Sequence, residues 1–241
     1  SNPFPKVNFS KAQFESADFC GVSFAEETNF EKAVFLEGAD FRQASFLDNT
    51  NFSSTVFKNV ANFGKTHFKG EIRFENTKFK YVTYFENANF EKEVIFKNSN
   101  FLEVANFEDA IFSKYADFSS AKFLKEVSFF KITLLEKVLF FTTSLRKANF
   151  KSLNIKGQLV FEGIDLRETL FENTDIRKID FINCIWSRKF GRFVLYDEMA
   201  VYESEKTIFD MSEELKKQNR FFLIKESVLN RIKKIFFIDK N

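Results

Sequence analysis

Along Glu71–Phe112 phenylalanine stands at 74, 79, 85, 90, 96, 101, 107 and 112, so apolar centres recur at alternating steps of five and six. Two residues before each stands something small or branched: Ile72, Thr77, Thr83, Ala88, Val94, Ser99, Ala105 and Ala110. The pair runs on in both directions. Centres fall at spacing five from Phe4 to Phe24, alternate five and six through Phe30, Phe35, Phe41 and onward to Leu145, then return mostly to five through Phe150, Ile155, Phe161, Leu166, Phe171, Ile176, Phe181 and Trp186.

Two steps make eleven residues, a period that also suits a right-handed helical supercoil. On an α-helix, however, residues two apart lie about 200° apart, and steps of five and six add about 140° and 240°, so no apolar stripe forms. In extended chain, residues i−2 and i point to one side and the residue between them to the other. Each unit thus sends one small and one large apolar side chain inward. So short a segment buries nothing alone and needs a neighbour stacked above and below it.

The triplets Ala39-Asp40-Phe41, Ala61-Asn62-Phe63, Ala88-Asn89-Phe90, Ala116-Asp117-Phe118 and Ala148-Asn149-Phe150 match the A(D/N)LXX signature with Phe at its centre. The chain resembles the pentapeptide-repeat family. The resemblance implies an all-β fold, a right-handed quadrilateral β-helix with four units to a coil. It departs from the family pattern in the sixth residue of alternate units, such as Gly38, Val60, Val82 and Val104. With four units to a coil, side chains 22 apart stack in columns, among them Phe30, Phe52, Phe74, Phe96, Phe118 and Phe140, and also Phe35, Phe57, Phe79, Phe101 and Phe123. Eight to nine coils at about 4.8 Å give a rod roughly 40 Å long, and the extra residues must sit at two opposite corners to keep the columns in line.

The division expected is a repeat β-helix over 1–187 and a C-terminal α-helical cap or extension over 188–241. Pro3 and Pro5 would blunt the first coil, since proline cannot donate to a ladder. After Trp186, Phe190, Phe193, Val194 and Ala200 recur at helical spacing. A second helix is expected from Asp210, where Glu213 stands at capping-box spacing, with Leu215, Phe221, Ile224, Val228, Ile232, Ile235 and Phe236 as its apolar positions.

Composition agrees: 38 Phe stand against 5 Tyr and 1 Trp, the bias of a repeated core. Charged residues of both signs make up 29% and the net charge is +2, which predicts no pull toward nucleic acid. No apolar run approaches the roughly 18 residues of a membrane span. No basic–apolar–small signal segment opens the chain, and Ser1-Asn2 without a leading Met suggests a processed start. Cys20 and Cys184 are too far apart along the rod for a disulfide, which fits a reducing, cytoplasmic setting.

Catalytic chemistry finds little support. The one histidine, His67, falls at an outward position and reads as a surface residue. Two distant Cys and one His make no metal site. Carboxylates such as Glu91, Glu93, Glu108 and Asp109 stand among lysines with no apolar cleft to raise their pKa, and the seven glycines form no phosphate loop. Cys184 reads as packing, and Cys20 as an inert outward thiol. Neither an enzyme nor a cofactor is expected.

Two surfaces invite a partner. Around the Phe35–Phe123 column, outward and corner positions carry Val34, Leu36, Val56, Lys58, Val60, Lys78, Lys80, Tyr81, Val82, Leu102, Val104, Lys122 and Leu124, with Lys125 beside them. The other faces read as polar. Such an apolar patch with basic residues marks a protein or membrane contact, unless the C-terminal helix folds over it. That helix, with Arg220, Lys225, Arg231, Lys233 and Lys234, would cap the last coil, pair with its copy in a homodimer, or lie on an anionic bilayer. The first functional expectation is a non-catalytic scaffold for an unknown protein partner. The resemblance adds a second, since some pentapeptide-repeat proteins act on DNA gyrase by imitating duplex DNA with strongly acidic surfaces; this repeat region, with 24 Lys/Arg and 25 Asp/Glu, is balanced. The third is the soluble portion of a membrane-associated protein in peripheral contact with the bilayer.

Overall fold

Extended two-residue segments separated by tight corners form four parallel sheets, so the chain is a four-walled β-solenoid of about eight turns. The structure, a computed structural model, describes residues 4–145, 147–189 and 192–197. In chain order the first wall has nine strands, from Val7–Asn8 to Ile179–Ile182, and the second six, from Gln13–Phe14 to Lys122–Phe123. The third and fourth have seven each, from Ala17–Asp18 to Ala148–Asn149 and from Ser23–Phe24 to Asn154–Ile155. Every pairing within a wall is parallel, and the middle coils are in register at 22 residues: Ile72 lies beside Val94, and Phe57 beside Phe79. Rungs join through bonds such as Phe74 N–H to the Ile95 carbonyl at 2.7 Å.

Inside, the phenylalanines form four columns. Phe52 stacks on Phe74 at 5.1 Å and Phe74 on Phe96 at 4.9 Å, each pair within 10° of parallel. The columns of opposite walls meet edge to face across the interior, as Phe63 does with Phe74 at 5.4 Å and 79°. Both arrangements suit the quadrupole of the ring. At position i−2 of the second and fourth walls, buried Thr55, Thr66, Thr77 and Thr143 donate their hydroxyls to the Phe30, Phe41, Phe52 and Phe118 carbonyls at 2.7 Å.

The corners explain the alternation of five and six. At a five-residue step the N–H three residues after the Phe donates back to its carbonyl, as Ala33 does to Phe30 and Ala44 to Phe41. The residue between, two after the Phe, is left-handed: Lys32, Gln43, Ser54, Lys65, Asn76 and their successors have φ near +57°. That is the shape of a type II turn. Six-residue steps occupy the other two corners and, among the described residues, carry no left-handed residue. Where a left-handed corner follows, the outward residue of the strand is often Asn or Asp, whose side chain accepts the N–H two residues on: Asp40 takes it from Arg42, Asn51 from Ser53, Asn106 from Glu108. Where it precedes such a corner, the Ala-Asn/Asp-Phe triplet is half core and half corner; Ala88-Asn89-Phe90 precedes a six-residue step, and its Asn89 meets His67 instead.

At the far end the structure departs from the sequence expectation. Ser187–Lys189 and Arg192–Val194 pair as an antiparallel hairpin, where helical spacing of Phe193 and Val194 had pointed to a helix. A hairpin extends β-type backbone pairing, which a short 3–4 rhythm does not exclude. Beyond it Leu195 packs on the core and the buried Asp197 accepts the N–H of Phe171, an outermost rung of the third wall. The second helix expected from Asp210, and Ala200, lie outside the described residues, as does Pro3; Pro5 is exposed.

Candidate protein-interaction face

The second wall is a flat strip between two corners, with its side chains set by the pleat and the 22-residue register. One outward column reads Gln13, Val34, Val56, Lys78, Asn100, Lys122 and the other Glu15, Leu36, Lys58, Lys80, Leu102, Leu124. Val60, Val82 and Val104 stand in line on the six-residue corner, with Tyr81 beside them. None of the thirteen face residues expected from sequence is buried. Lys58, Lys78, Lys80, Tyr81, Val104, Lys122 and Leu124 are exposed; Val34, Leu36, Val56, Val60, Val82 and Leu102 are half-buried. Among the apolar ones Tyr81 keeps 51% of its surface, Leu124 45% and Val104 41%, enough for a partner to cover.

Apolar exposure is not confined to this wall, which corrects the expectation of three polar faces. Leu47, Ile111 and Leu135 are exposed on the fourth wall, and Phe141 and Ile182 on the first. What sets the second wall apart is charge. From Val34 to Leu124 its two outward columns hold four lysines and no carboxylate. The same columns carry Glu31, Glu75 and Asp117 on the first wall, Asp40, Glu86 and Glu108 on the third, and Glu91 on the fourth. Glu37 and Glu103 stand at the corner beside the face. Ion pairs elsewhere bridge coils or neighbours, such as Lys6 to Glu27 at 2.7 Å, Lys151 to Glu172 at 2.7 Å, and Arg42 forked onto Asp40. Among the described residues, Lys58, Lys78, Lys80, Lys122 and Lys125 make none.

Cys20 is a free, exposed thiol, whereas several other groups with chemical capacity are engaged structurally. His67 is half-buried, with its Nε2 2.7 Å from Glu91 Oε1 and 2.8 Å from Asn89 Nδ2, an outward network on one wall. Cys184 donates to the Phe161 carbonyl, and burial pushes its thiol pKa up, away from the reactive thiolate. Hydrogen bonds from Arg42 and Arg167 hold the Asp40 and Asp165 carboxyls below the usual range. Burial raises that of Asp197, an end cap that sequence reasoning missed. No cluster of three or more His, Cys, Asp or Glu suited to a metal occurs among the described residues, nor does a helix long and apolar enough to cross a membrane. The cap or dimer positions Leu215, Phe221, Ile224, Val228, Ile232, Ile235 and Phe236 lie outside the described residues.

A family model described as pentapeptide repeats (9 copies) matches residues 30–78, 74–122 and 85–133, the coils in which the five–six alternation is most regular. Residues 30–133 belong to the pentapeptide-repeat family. Two solved structures are among those that match the chain. HetL, a pentapeptide repeat protein involved in heterocyst differentiation regulation from the cyanobacterium Nostoc sp. strain PCC 7120, is 13% identical, covering 76% of this chain and 86% of its own, with a TM-score of 0.20. A trypsin-treated form of QnrB1, a plasmid-mediated fluoroquinolone resistance protein, is 15% identical, covering 77% of this chain and 91% of its own, with a TM-score of 0.25. No curated protein sequence matches the chain.

Proposed function

We propose that this pentapeptide-repeat protein is a non-catalytic interaction scaffold, a stiff rod that presents its second wall to another protein. The observation that carries the reading is the strip from Val34 to Leu124, where four lysines and aliphatic side chains share two columns with no carboxylate between them. A rod filled by its own rings has rungs that cannot shift independently, so an outward pattern of side chains is held at fixed spacing. Pre-organisation of that kind lowers the cost of ordering a surface on binding. Imitation of duplex DNA asks for stacked negative charge, and this wall carries the opposite sign.

The test is photo-crosslinking in the protein's native cells, with a benzophenone side chain placed at Tyr81 or Leu124. Controls carry it at the exposed Glu86 on the third wall and Lys69 on the fourth. Adducts of discrete mass from the second-wall positions alone are expected. Equal labelling from every wall, or none from any, removes the reading.

A further inference from the structure

We propose that the second wall receives an amphipathic α-helix with acidic residues at its centre, contributed by a partner protein and lying along the rod axis. This rests on the second wall being the interaction face. The wall's own backbone is already paired: Lys58 N–H donates to Phe35, Lys80 to Phe57 and Leu102 to Phe79, each at 2.9 Å. A partner therefore cannot add a strand to this face and must dock through side chains.

Beyond Glu15 in the first coil, one outward column reads Leu36, Lys58, Lys80, Leu102, Leu124, one residue per coil. Lys58 and Lys80 are direct neighbours, and like charges so placed repel unless a counter-charge sits between them. Neither makes an ion pair among the described residues. Successive coils rise about 4.8 Å, and one turn of α-helix rises about 5.4 Å. A helix set along the column therefore drifts only about 2 Å over its four intervals, within the reach of a lysine side chain. Same-face residues of an extended strand recur every ~6.7 Å and lose step within two coils. The facing stripe of the partner then reads apolar, acidic, acidic, apolar, apolar in successive turns, in either direction. The second column stands about 7 Å away across the wall, and there Lys78 and Lys122 meet carboxylates on the flank of the same helix. The chain's own C-terminal segment is a poor occupant, because between 216 and 234 it carries seven basic residues and the single acid Glu226.

The probe is an alanine-rich helical peptide of about 20 residues with Leu, Glu, Glu, Leu and Leu at i, i+4, i+7, i+11 and i+14. Fluorescence anisotropy follows its binding to the full chain. Binding is expected, weakening as salt screens the charges and falling about tenfold or more in Lys58→Glu with Lys80→Glu. Lys80→Gln alone replaces that pair if the double reversal fails to fold by circular dichroism. A peptide with Lys for Glu, and one with the stripe reordered Glu, Leu, Leu, Leu, Glu, are expected to bind at least about tenfold more weakly. The inference falls if the ordered peptide does not bind, if the reordered one binds as well, or if the lysine variants bind it unchanged. It also falls if the rod ignores the peptide and takes up vesicles of phosphatidylcholine and phosphatidylglycerol, which would make the partner a membrane. Crosslinks from Tyr81 together with a failed peptide would remove the helix and leave the interaction face standing.

Discussion

At the scale of single residues, position within the coil decides what a side chain does more than its chemical type. Ser99 shares its inward column with Thr55, Thr77 and Thr143, whose hydroxyls each reach a Phe carbonyl in the preceding coil; its own buried hydroxyl has no partner among the described residues. Ser99→Thr restores the Thr rotamer preference and the bond, so chemical denaturation is expected to show a gain of about 1 kcal/mol; no gain would mean the Phe74 carbonyl is out of reach. The glycines divide in the same way. A Cβ on Gly70 would stand 2.3 Å from the Asp48 carbonyl carbon, whereas one on Gly38 would meet nothing nearer than the Val60 carbonyl oxygen at 4.0 Å. Gly70→Ala is expected to cost about 2–3 kcal/mol as an overpacked contact. Gly38→Val, which copies Val60, Val82 and Val104 in its own column, is expected to stay within about 0.5 kcal/mol. Similar melting temperatures for the two variants would contradict this placement.

At the scale of elements, the two-residue strands matter less than their corners and ends. Non-glycine residues at φ near +57° cost free energy, which the capping Asn or Asp and the Phe carbonyl bond offset. The far end is closed by Asp197, whose carboxylate accepts the Phe171 N–H in buried surroundings. Desolvation, the largest influence, raises its pKa above the ordinary 3.8, with Glu172 pushing the same way and Lys151 opposing. The folded state then holds this proton more tightly than the unfolded state. Stability from this group is therefore full below about pH 4 and declines as pH rises through the elevated folded value. Asp197→Asn keeps an acceptor for Phe171 and removes the titration. Urea midpoints measured from pH 4 to 8 are expected to fall with pH more steeply in the parent than in the Asn variant; parallel curves would show that Asp197 is not buried in solution.

At the scale of the whole molecule, the rod is a one-dimensional stack in which each coil leans on two neighbours and an end coil on one. At the N-terminal end Phe9, Phe14 and Phe19 are only half-buried, while Phe52, Phe63 and Phe74 are fully enclosed. Amide exchange is expected to be slowest for the rungs around 63–107 and to quicken toward Val7–Phe24, since fewer contacts must break to open an end. Uniform protection along the rod would mean that it opens as one unit. Rigidity in the middle is what the interaction face needs, because Lys80 and Leu102 belong to the coils expected to exchange slowest.

Much of this architecture was written in the period of the chain. Inward pairs at i−2 and i and extended backbone follow from steps of five and six through side-chain alternation; four units to a coil, and with them the 22-residue register of Phe52 on Phe74 and the outward placement of the second-wall residues, are what the resemblance to the pentapeptide-repeat family implies. Tertiary structure alone decided what depends on contacts between distant coils. The choice of the five-residue steps for left-handed corners, the glycine demanded at 70 but not at 38, the hairpin at 187–194, and Asp197 as the partner of Phe171 arise from which atoms meet after stacking. A periodic sequence fixes which side faces in; the ends and corners, where the period breaks or shares a residue with a turn, are settled only by what the neighbouring coil leaves unpaired.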